Sequence, residues 1–247
     1  MRLYLIALQF LTIIPLPFSV RCEEEDLGRA MALFPLVGLA LGALLVGVDY
    51  LLMPWLPRPV ADLILLIVLS AVTGALHLDG LADVCDGLAA RGGRERFLAV
   101  MKDSRTGAVG VVGLVLGLML KYQALLYIPL EQKREALLLF PMIARFSQVQ
   151  VTVGARKARQ DGLGCAFIGG AGLPQFAVAF AVTVAAAYLL SGTGGVYCTI
   201  LAGLITWLLR HWFHKVLGGI TGDVIGCVSE LNEIVCLLAL LALTKLT

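Results

Sequence analysis

The sequence predicts an all-α polytopic membrane protein, a bundle of about seven transmembrane helices that forms a single domain over residues 1–247. Of these 247 residues, 60% are hydrophobic and 15% are charged, whereas soluble domains are roughly 45–50% apolar and about 25% charged. The mean hydropathy is +0.93, and the apolar residues form long runs. These three observations exclude an ordinary soluble enzyme, a disordered chain and a disulfide scaffold.

Seven stretches are long enough to cross a membrane, for which a helix needs about 20 mostly apolar residues. In chain order the predicted spans are 32–53, 60–78, 107–128, 135–153, 174–190, 195–213 and 231–247. Residues 1–30 precede them, and within this segment Pro15 and Pro17 interrupt the apolar stretch 3–18. We therefore expect an interfacial or re-entrant segment at the N-terminus.

The distribution of Lys and Arg predicts the orientation, because cytoplasmic loops retain positive charge. With the N-terminus in the cytoplasm, thirteen of the nineteen Lys and Arg residues lie in cytoplasmic loops and four on the opposite side. The opposite side has only short connections, so we expect the active site at the cytoplasmic face. A net charge of +2 gives no indication of a nucleic-acid partner.

The most specific motif is His77-Leu-Asp79-Gly-Leu-Ala-Asp83-Val-Cys-Asp86, at the end of the second predicted span. Carboxylates at positions i, i+4 and i+7 lie on one face of a helix and repel one another. A divalent cation removes that repulsion, and Mg²⁺ typically joins one or two carboxylates to substrate phosphates. Asp79, Asp83 and Asp86 are therefore predicted metal ligands, with an exposed acidic helix end as the alternative. His77 is more typical of a supporting residue than of a ligand.

A basic cluster precedes the third predicted span. Lys102, Asp103, Ser104 and Arg105 are followed by Thr106 and Gly107, a pattern that favours phosphate binding at the start of a helix. The alternative is a positively charged membrane anchor with a hydroxyl cap.

A glycine-rich turn between the last two spans contains Gly219, Thr221 and Asp223. It favours phosphate binding or completion of a metal shell, whereas the spacing of Gly222 and Gly226 also suits a close helix–helix contact. Arg145 lies inside the fourth predicted span. Because a buried charge needs a partner there, it is predicted either to bind a substrate phosphate or to form an internal ion pair.

Taken together, these motifs resemble the cobalamin synthase family, whose members are also called adenosylcobinamide-GDP ribazoletransferases. The resemblance covers essentially the whole chain. The segments that carry it are Phe10-Leu-Thr-Ile-Ile-Pro15, Phe34-Pro35-Leu-Val-Gly38, His77-Leu-Asp79-Gly-Leu-Ala-Asp83, Asp86-Gly87, Met101-Lys-Asp-Ser-Arg105 with Gly107, and Gly219-Ile-Thr-Gly-Asp223.

The resemblance implies a Mg²⁺-dependent phosphotransferase of the bacterial inner membrane that acts in cobalamin nucleotide-loop assembly. Such an enzyme joins adenosylcobinamide-GDP to α-ribazole, or to its 5′-phosphate, and releases GMP. On this hypothesis Asp79, Asp83 and Asp86 hold Mg²⁺, and Asp103 or Asp223 completes the metal shell or acts as general base. The predicted phosphate-binding residues are Lys102, Ser104, Arg105, Gly219, Thr221 and Arg145.

Two alternatives are weaker. A CDP-alcohol phosphotransferase of lipid synthesis shares Asp79-Gly80, but the Ala-Arg pair and the later repeated Asp spacing of that family are missing from this sequence. A secondary transporter would explain the apolar spans and the intramembrane Lys121 and Arg145, yet the sequence has no clear internal repeat.

Overall fold

The structure is a computed structural model that describes residues 1–16, 20–160 and 163–244. It is all-α in these ranges, as predicted, apart from an isolated β-bridge between Lys157 and Ile220. The helices are α1 (Arg2–Leu11), α2 (Glu24–Ala30), a 3₁₀ turn (Met31–Leu33), α3 (Phe34–Leu52), α4 (Arg58–Val72), α5 (Leu76–Ala89), α6 (Gly93–Val100), α7 (Ala108–Tyr127), α8 (Leu130–Thr152), α9 (Leu163–Gly170), α10 (Leu173–Leu217) and α11 (Gly222–Leu243).

Four helical stretches of the described chain are long and apolar enough to cross a membrane. They are Glu25–Leu52, α7, α10 and α11, and the bent pair formed by α4 and α5 makes a fifth if it is counted as one span. The chain is therefore a multi-pass membrane protein. Length and composition alone identify four or five spans rather than the predicted seven.

Helix α8 lies at the centre of the bundle. Between residues 136 and 149 every side chain except that of Leu138 is buried. Helix α3 approaches its backbone closely, because Gly38 and Gly42 have no side chain: a Cβ on Gly38 would lie 2.5 Å from the Pro141 carbonyl oxygen. Small residues four positions apart permit this kind of contact between membrane helices.

Helix α10 consists of two helices that pack side by side. Ser191 and Gly192 have non-helical backbone angles, and a Cβ on Gly195 would lie 2.3 Å from the carbonyl oxygen of Ala187. Eight residues along a straight helix would separate these groups by about 12 Å, so the chain reverses at 191–192. The break falls where the sequence predicts the connection between the spans 174–190 and 195–213.

The prediction of one helix over 60–78 is wrong. Helix α4 ends at Val72, and α5 begins at Leu76 at an angle of 89° to it. Gly74 (φ 61°) and Ala75 (φ 54°) both adopt left-handed backbone angles at the bend, which costs roughly 1–2 kcal/mol at Ala75 because that residue has a Cβ. As a result, the acidic motif lies on a separate helix, α5. This helix is not part of the four stretches that are long and apolar enough to cross a membrane alone.

The N-terminal segment packs onto the bundle. Arg2 of α1 donates a hydrogen bond of 2.6 Å to the buried Asp26 of α2, and a Cβ on Gly28 of α2 would lie 2.0 Å from the backbone of Gly170 in α9. The stretch of the segment from 17 to 19 lies outside the described residues. In the part that the structure describes, Phe10 of α1 lines the cavity that also contains Asp79 and Asp223.

Candidate active site

The acidic helix α5 and the beginning of α11 run antiparallel in close contact. A Cβ on Gly80 would lie 2.6 Å from the carbonyl oxygen of Asp223, and one on Gly226 would lie 3.2 Å from the Cα of His77. The close-contact alternative for Gly226 is therefore correct. The same contact brings Asp223 next to the predicted metal ligands of α5, although more than 130 residues separate them in the sequence.

A first cavity of about 210 Å³ opens at this junction. Its walls differ in chemistry. The polar wall consists of His77, Asp79, Gln148, Arg159 and Asp223, and the apolar wall includes Phe10, Met31, Phe34, Leu76, Phe167 and Ile225. Asp79 and Asp223 thus face one space, as the sequence predicts.

Arg159 is held against Asp223 by the backbone. Ala158 N–H donates to the carbonyl oxygen of Ile220 (3.0 Å), and Ile220 N–H donates to that of Arg156 (2.8 Å). Arg159 Nη2 then donates to Asp223 Oδ2 at 2.8 Å. This ion pair places a positively charged and a negatively charged side chain next to each other at the cavity.

Two residues predicted to bind phosphate have structural roles in this turn. A Cβ on Gly219 would lie 2.3 Å from the carbonyl oxygen of Arg156, so Gly219 permits the backbone pairing at Ile220. Thr221 is the N-cap of α11, and its buried hydroxyl oxygen accepts a hydrogen bond from Val224 N–H (3.2 Å). Neither residue lines the first cavity, so the structure gives no support to these two predictions.

Asp83 lies between the other carboxylates on α5. Burial, followed by the negative charges of Asp79, Asp223 and Asp86, raises the pKa of its carboxyl group to about 7. Near neutral pH the group therefore exchanges a proton readily, and a nearby cation would hold it in the ionised form.

Asp86 caps the N-terminus of α7. Its two carboxylate oxygens accept hydrogen bonds from Gly107 N–H (2.6 Å) and Gly110 N–H (2.7 Å). Both glycines are needed, since a Cβ on either would lie within 2.5 Å of the carboxylate. Sequence reasoning assigned Asp86 to a metal and missed this capping role, which the spacing of Gly107 and Gly110 could have indicated.

We expect Gly110→Ala to lower the free energy of unfolding by roughly 1–3 kcal/mol, because the new Cβ would displace the Asp86 carboxylate and would overlap the carbonyl oxygen of Ala82. Thermal unfolding of the purified protein in detergent measures the change. Gly47→Ala on α3 is the matched control, since a Cβ there has no neighbour within 4 Å. Equal midpoints for both variants would contradict the capping role.

A second cavity of about 330 Å³ lies beyond Asp86. Its charged lining residues are Asp86, Arg91, Arg96, Asp103 and Arg105. Arg105 forms two side-chain hydrogen bonds to Asp103 (3.0 and 2.7 Å), which lower the pKa of the Asp103 carboxyl group to about 2. Asp103 is therefore a poor general base, while the three arginines make the cavity suitable for an anion.

Lys102 and Ser104 are exposed in the same loop as Arg105. Neither lines the first cavity, which contains Asp79 and Asp223, whereas Arg105 lines the second. Arg91 and Arg96 line the second cavity together with Arg105. Sequence reasoning treated them only as loop charges. The sequence signal for them was the short spacing of arginines between the acidic helix and the basic cluster.

Arg145 belongs to a buried ion-pair network. It is fully buried and donates to Glu233, and Lys121 Nζ lies 2.5 Å from both Glu230 and Glu233. The prediction that Arg145 binds a substrate phosphate is not supported, because its charge is already paired. The alternative of an internal ion pair is the one that the structure contains, and it also accounts for Lys121.

Sequence reasoning missed Arg159 and Gln148. Arg159 stood out only as a positive loop charge, and Gln148 is a single polar residue in an apolar helix. Such a residue inside a membrane span is itself a signal of a polar cavity.

The acidic residues of α5 supply only part of the ligand set that a metal ion needs. Within the described ranges, no group of three His, Cys, Asp or Glu side chains is arranged to hold a metal by itself. Burial is the main cause of the raised pKa of Asp83, and the negative charges of Asp79, Asp223 and Asp86 add to it. One or two carboxylates completed by water and substrate phosphates, the usual arrangement for Mg²⁺, fit these residues.

The fold and these cavities define a multi-pass membrane protein with a charged site where α7 and α11 begin. The chain belongs to the cobalamin-5-phosphate synthase family, whose profile matches residues 3–241. The resemblance noted from the sequence is thereby confirmed, and the chain is an enzyme of cobalamin biosynthesis.

Relatives agree over nearly the full length. An adenosylcobinamide-GDP ribazoletransferase of Geotalea daltonii is 69% identical over 243 residues, covering 98% of each chain. Proteins of the same name from Klebsiella pneumoniae and Clostridium botulinum are 38% and 36% identical, over 95% and 96% of this chain and 97% and 96% of their own. No solved structure shows significant similarity to this chain.

Proposed function

We propose that this protein joins adenosylcobinamide-GDP to α-ribazole, or to its 5′-phosphate, and releases GMP with the help of Mg²⁺. The 69% identity to a ribazoletransferase over 98% of both chains is the observation that carries the proposal. The acidic first cavity, which contains the Arg159–Asp223 pair, and the arginine-rich second cavity support it, because the reaction transfers a phosphoryl group from a pyrophosphate and releases an anionic nucleotide.

In the proposed reaction a ribose hydroxyl of ribazole attacks the phosphorus that is bonded to cobinamide. A new P–O bond forms, the P–O bond to GMP breaks, and the hydroxyl proton passes to a base. Of the two predicted bases we choose Asp223, because the hydrogen bonds from Arg105 lower the pKa of Asp103 to about 2. Asp223 also lines the first cavity with Asp79.

Bound Mg²⁺ would supply positive charge to the pyrophosphate in the transition state. Asp79 and Asp83 are the residues that would hold it, with Asp86 beside them as the cap of α7. Arg91, Arg96 and Arg105 would receive the leaving GMP in the second cavity.

We further propose that seven segments cross the inner membrane with the N-terminus in the cytoplasm. They are α3, α4 with the bend that follows it, α7, α8, the two halves of α10, and α11. The excess of Lys and Arg in the loops on one side supports this orientation. Both cavities would then open to the cytoplasm, where the two nucleotides are available.

The pH dependence of Mg²⁺ activation tests the role of Asp83. A carboxyl group with a pKa of about 7 is mostly protonated below that pH and must lose its proton to bind a cation. We therefore expect the Mg²⁺ concentration for half-maximal GMP release to fall as the pH rises from about 6 to about 8. A Mg²⁺ requirement that stays constant over this pH range in the unchanged protein would contradict the assignment.

The proposed function is tested by GMP release from purified protein in detergent with adenosylcobinamide-GDP and α-ribazole. We expect GMP and a cobalamin product in equal amounts, and only when Mg²⁺ is present. Folded protein that forms neither product would overturn the proposed substrates. A CDP-alcohol would then be the next substrate to test.

A further inference from the structure

Three phenylalanine rings form a continuous aromatic surface on one wall of the first cavity. They are Phe10 of α1, Phe34 at the start of α3, and Phe167 of α9. The ring centroid of Phe10 lies 4.3 Å from that of Phe167 and 6.1 Å from that of Phe34, and the last two are 5.8 Å apart. Three helices that are distant in the sequence therefore converge to build this surface.

Phe10 is the ring of this surface that a ligand can contact most fully. Phe34 and Phe167 are only 1% and 2% exposed, whereas Phe10 is half-buried. The two buried rings support Phe10 from behind, because each lies within the distance at which aromatic rings pack against one another.

The rest of the apolar wall has no side chain that donates a hydrogen bond. It includes Met31, Leu76 and Ile225, whose side chains consist of carbon, hydrogen and sulfur. A ligand group with N–H or C=O groups would leave them unpaired against this wall, which is unfavourable in a buried site. The wall is therefore suited to a flat, apolar ring system with few polar atoms.

The size of the first cavity limits which part of a substrate it can hold. Its volume is about 210 Å³, below the roughly 300–1,000 Å³ of sites for drug-sized ligands. It accommodates one small ring system and not a corrin macrocycle. Guanine and adenine carry amino groups and several ring nitrogens. The base of α-ribazole is a benzimidazole with two methyl groups and one unsubstituted ring nitrogen, and it is the ring system that matches the apolar wall.

We infer that the first cavity binds the base of α-ribazole against Phe10, and that Phe10 is a specificity-determining residue for this substrate. The inference rests on the proposed function for the identity of the substrate. Because the ribose is bonded directly to the base, its hydroxyl groups then face the polar wall of the same cavity, which contains Asp79 and Asp223. The guanine nucleotide is left to the second cavity with its arginines.

Binding of α-ribazole tests the inference without turnover. Isothermal titration calorimetry of the purified protein in detergent, with no adenosylcobinamide-GDP present, gives the Kd. Phe10→Ala should weaken binding about tenfold or more, because an aromatic ring stacked on a base contributes strongly to its affinity. Phe10→Leu retains apolar packing on α1 and removes only the ring, so it should weaken binding by a smaller factor. The free base, 5,6-dimethylbenzimidazole, should compete with α-ribazole, and guanosine should not.

The matched control is Phe180→Ala, which removes a ring that is 47% exposed on α10 and does not line the first cavity. It should bind α-ribazole as the unchanged protein does. In steady-state GMP release, Phe10→Ala should raise the KM for α-ribazole about tenfold and leave the KM for adenosylcobinamide-GDP within about twofold.

The outcomes separate this inference from the proposed function. Weaker α-ribazole binding in both Phe10 variants, with Phe180→Ala unchanged, supports it. Unchanged binding in both Phe10 variants would overturn it, and so would competition by guanosine or a rise in the KM for adenosylcobinamide-GDP alone. If the protein binds α-ribazole through Phe10 but releases no GMP, the proposed reaction fails and the assignment of the cavity stands.

Discussion

Replacing Asp79 or Asp83 by Asn is expected to lower the rate of GMP release by about 10³-fold or more. Asn has nearly the same shape as Asp but no charge, so the change removes the negative charge that would hold Mg²⁺ on the pyrophosphate. The two carboxylates interact, since burial and then the charge of Asp79 raise the pKa of Asp83, and a shared cation would be lost in either variant. Single-turnover GMP release at saturating substrates gives the rate directly.

The matched control is Glu25→Gln, which makes the same charge change at an exposed residue that pairs with Arg29. It should leave the rate within about twofold, since exposed pairs contribute little. Asp223→Asn and Asp103→Asn distinguish the two predicted bases. We expect the first to be severe and the second mild, because Asp103 is exposed to solvent in the second cavity and bonded to Arg105. Near-normal rates in Asp79→Asn and Asp83→Asn would refute the metal site.

Much of the fold follows from the sequence because a segment that spans a membrane must satisfy its backbone N–H and C=O groups with internal hydrogen bonds, as a helix does. Long apolar stretches can hardly form anything else, and helices lie at each of the seven predicted stretches. The bend between α4 and α5 was not predictable. Its sequence contains one glycine and no proline, and the left-handed Ala75 is stable only because surrounding contacts outweigh its local preference.

The site was partly predictable for a similar reason. Asp79 and Asp83 are recognisable from spacing along one helix, which is local information. The contact between Gly80 and the Asp223 backbone depends on how α5 and α11 pack, and no local pattern specifies it. Arg145 was predicted to bind phosphate but pairs with the buried Glu233, and the capping of α7 by Asp86 was missed, because both partners are distant in the sequence.

Lys121→Met is expected to lower the free energy of unfolding by about 3–5 kcal/mol, because it removes one partner of a buried ion-pair network. Lys121 and Arg145 balance Glu230 and Glu233, and all four side chains are at most 6% exposed. Without Lys121 one carboxylate has no counter-charge inside the bundle. The fraction of protein that remains monodisperse after heating in detergent measures the loss, and Lys215→Met at an exposed position of α10 is the control.

The double variant Lys121→Met/Glu230→Gln decides whether charge balance is the cause. In this variant Glu233 still pairs with Arg145, so the buried charges balance again. We expect it to recover most of the lost stability, since replacing a whole buried pair often changes stability little. Failure to recover would mean that the shape of Lys121 matters rather than its charge. A recovered double variant should also release GMP, because neither Lys121 nor Glu230 lines the first or the second cavity.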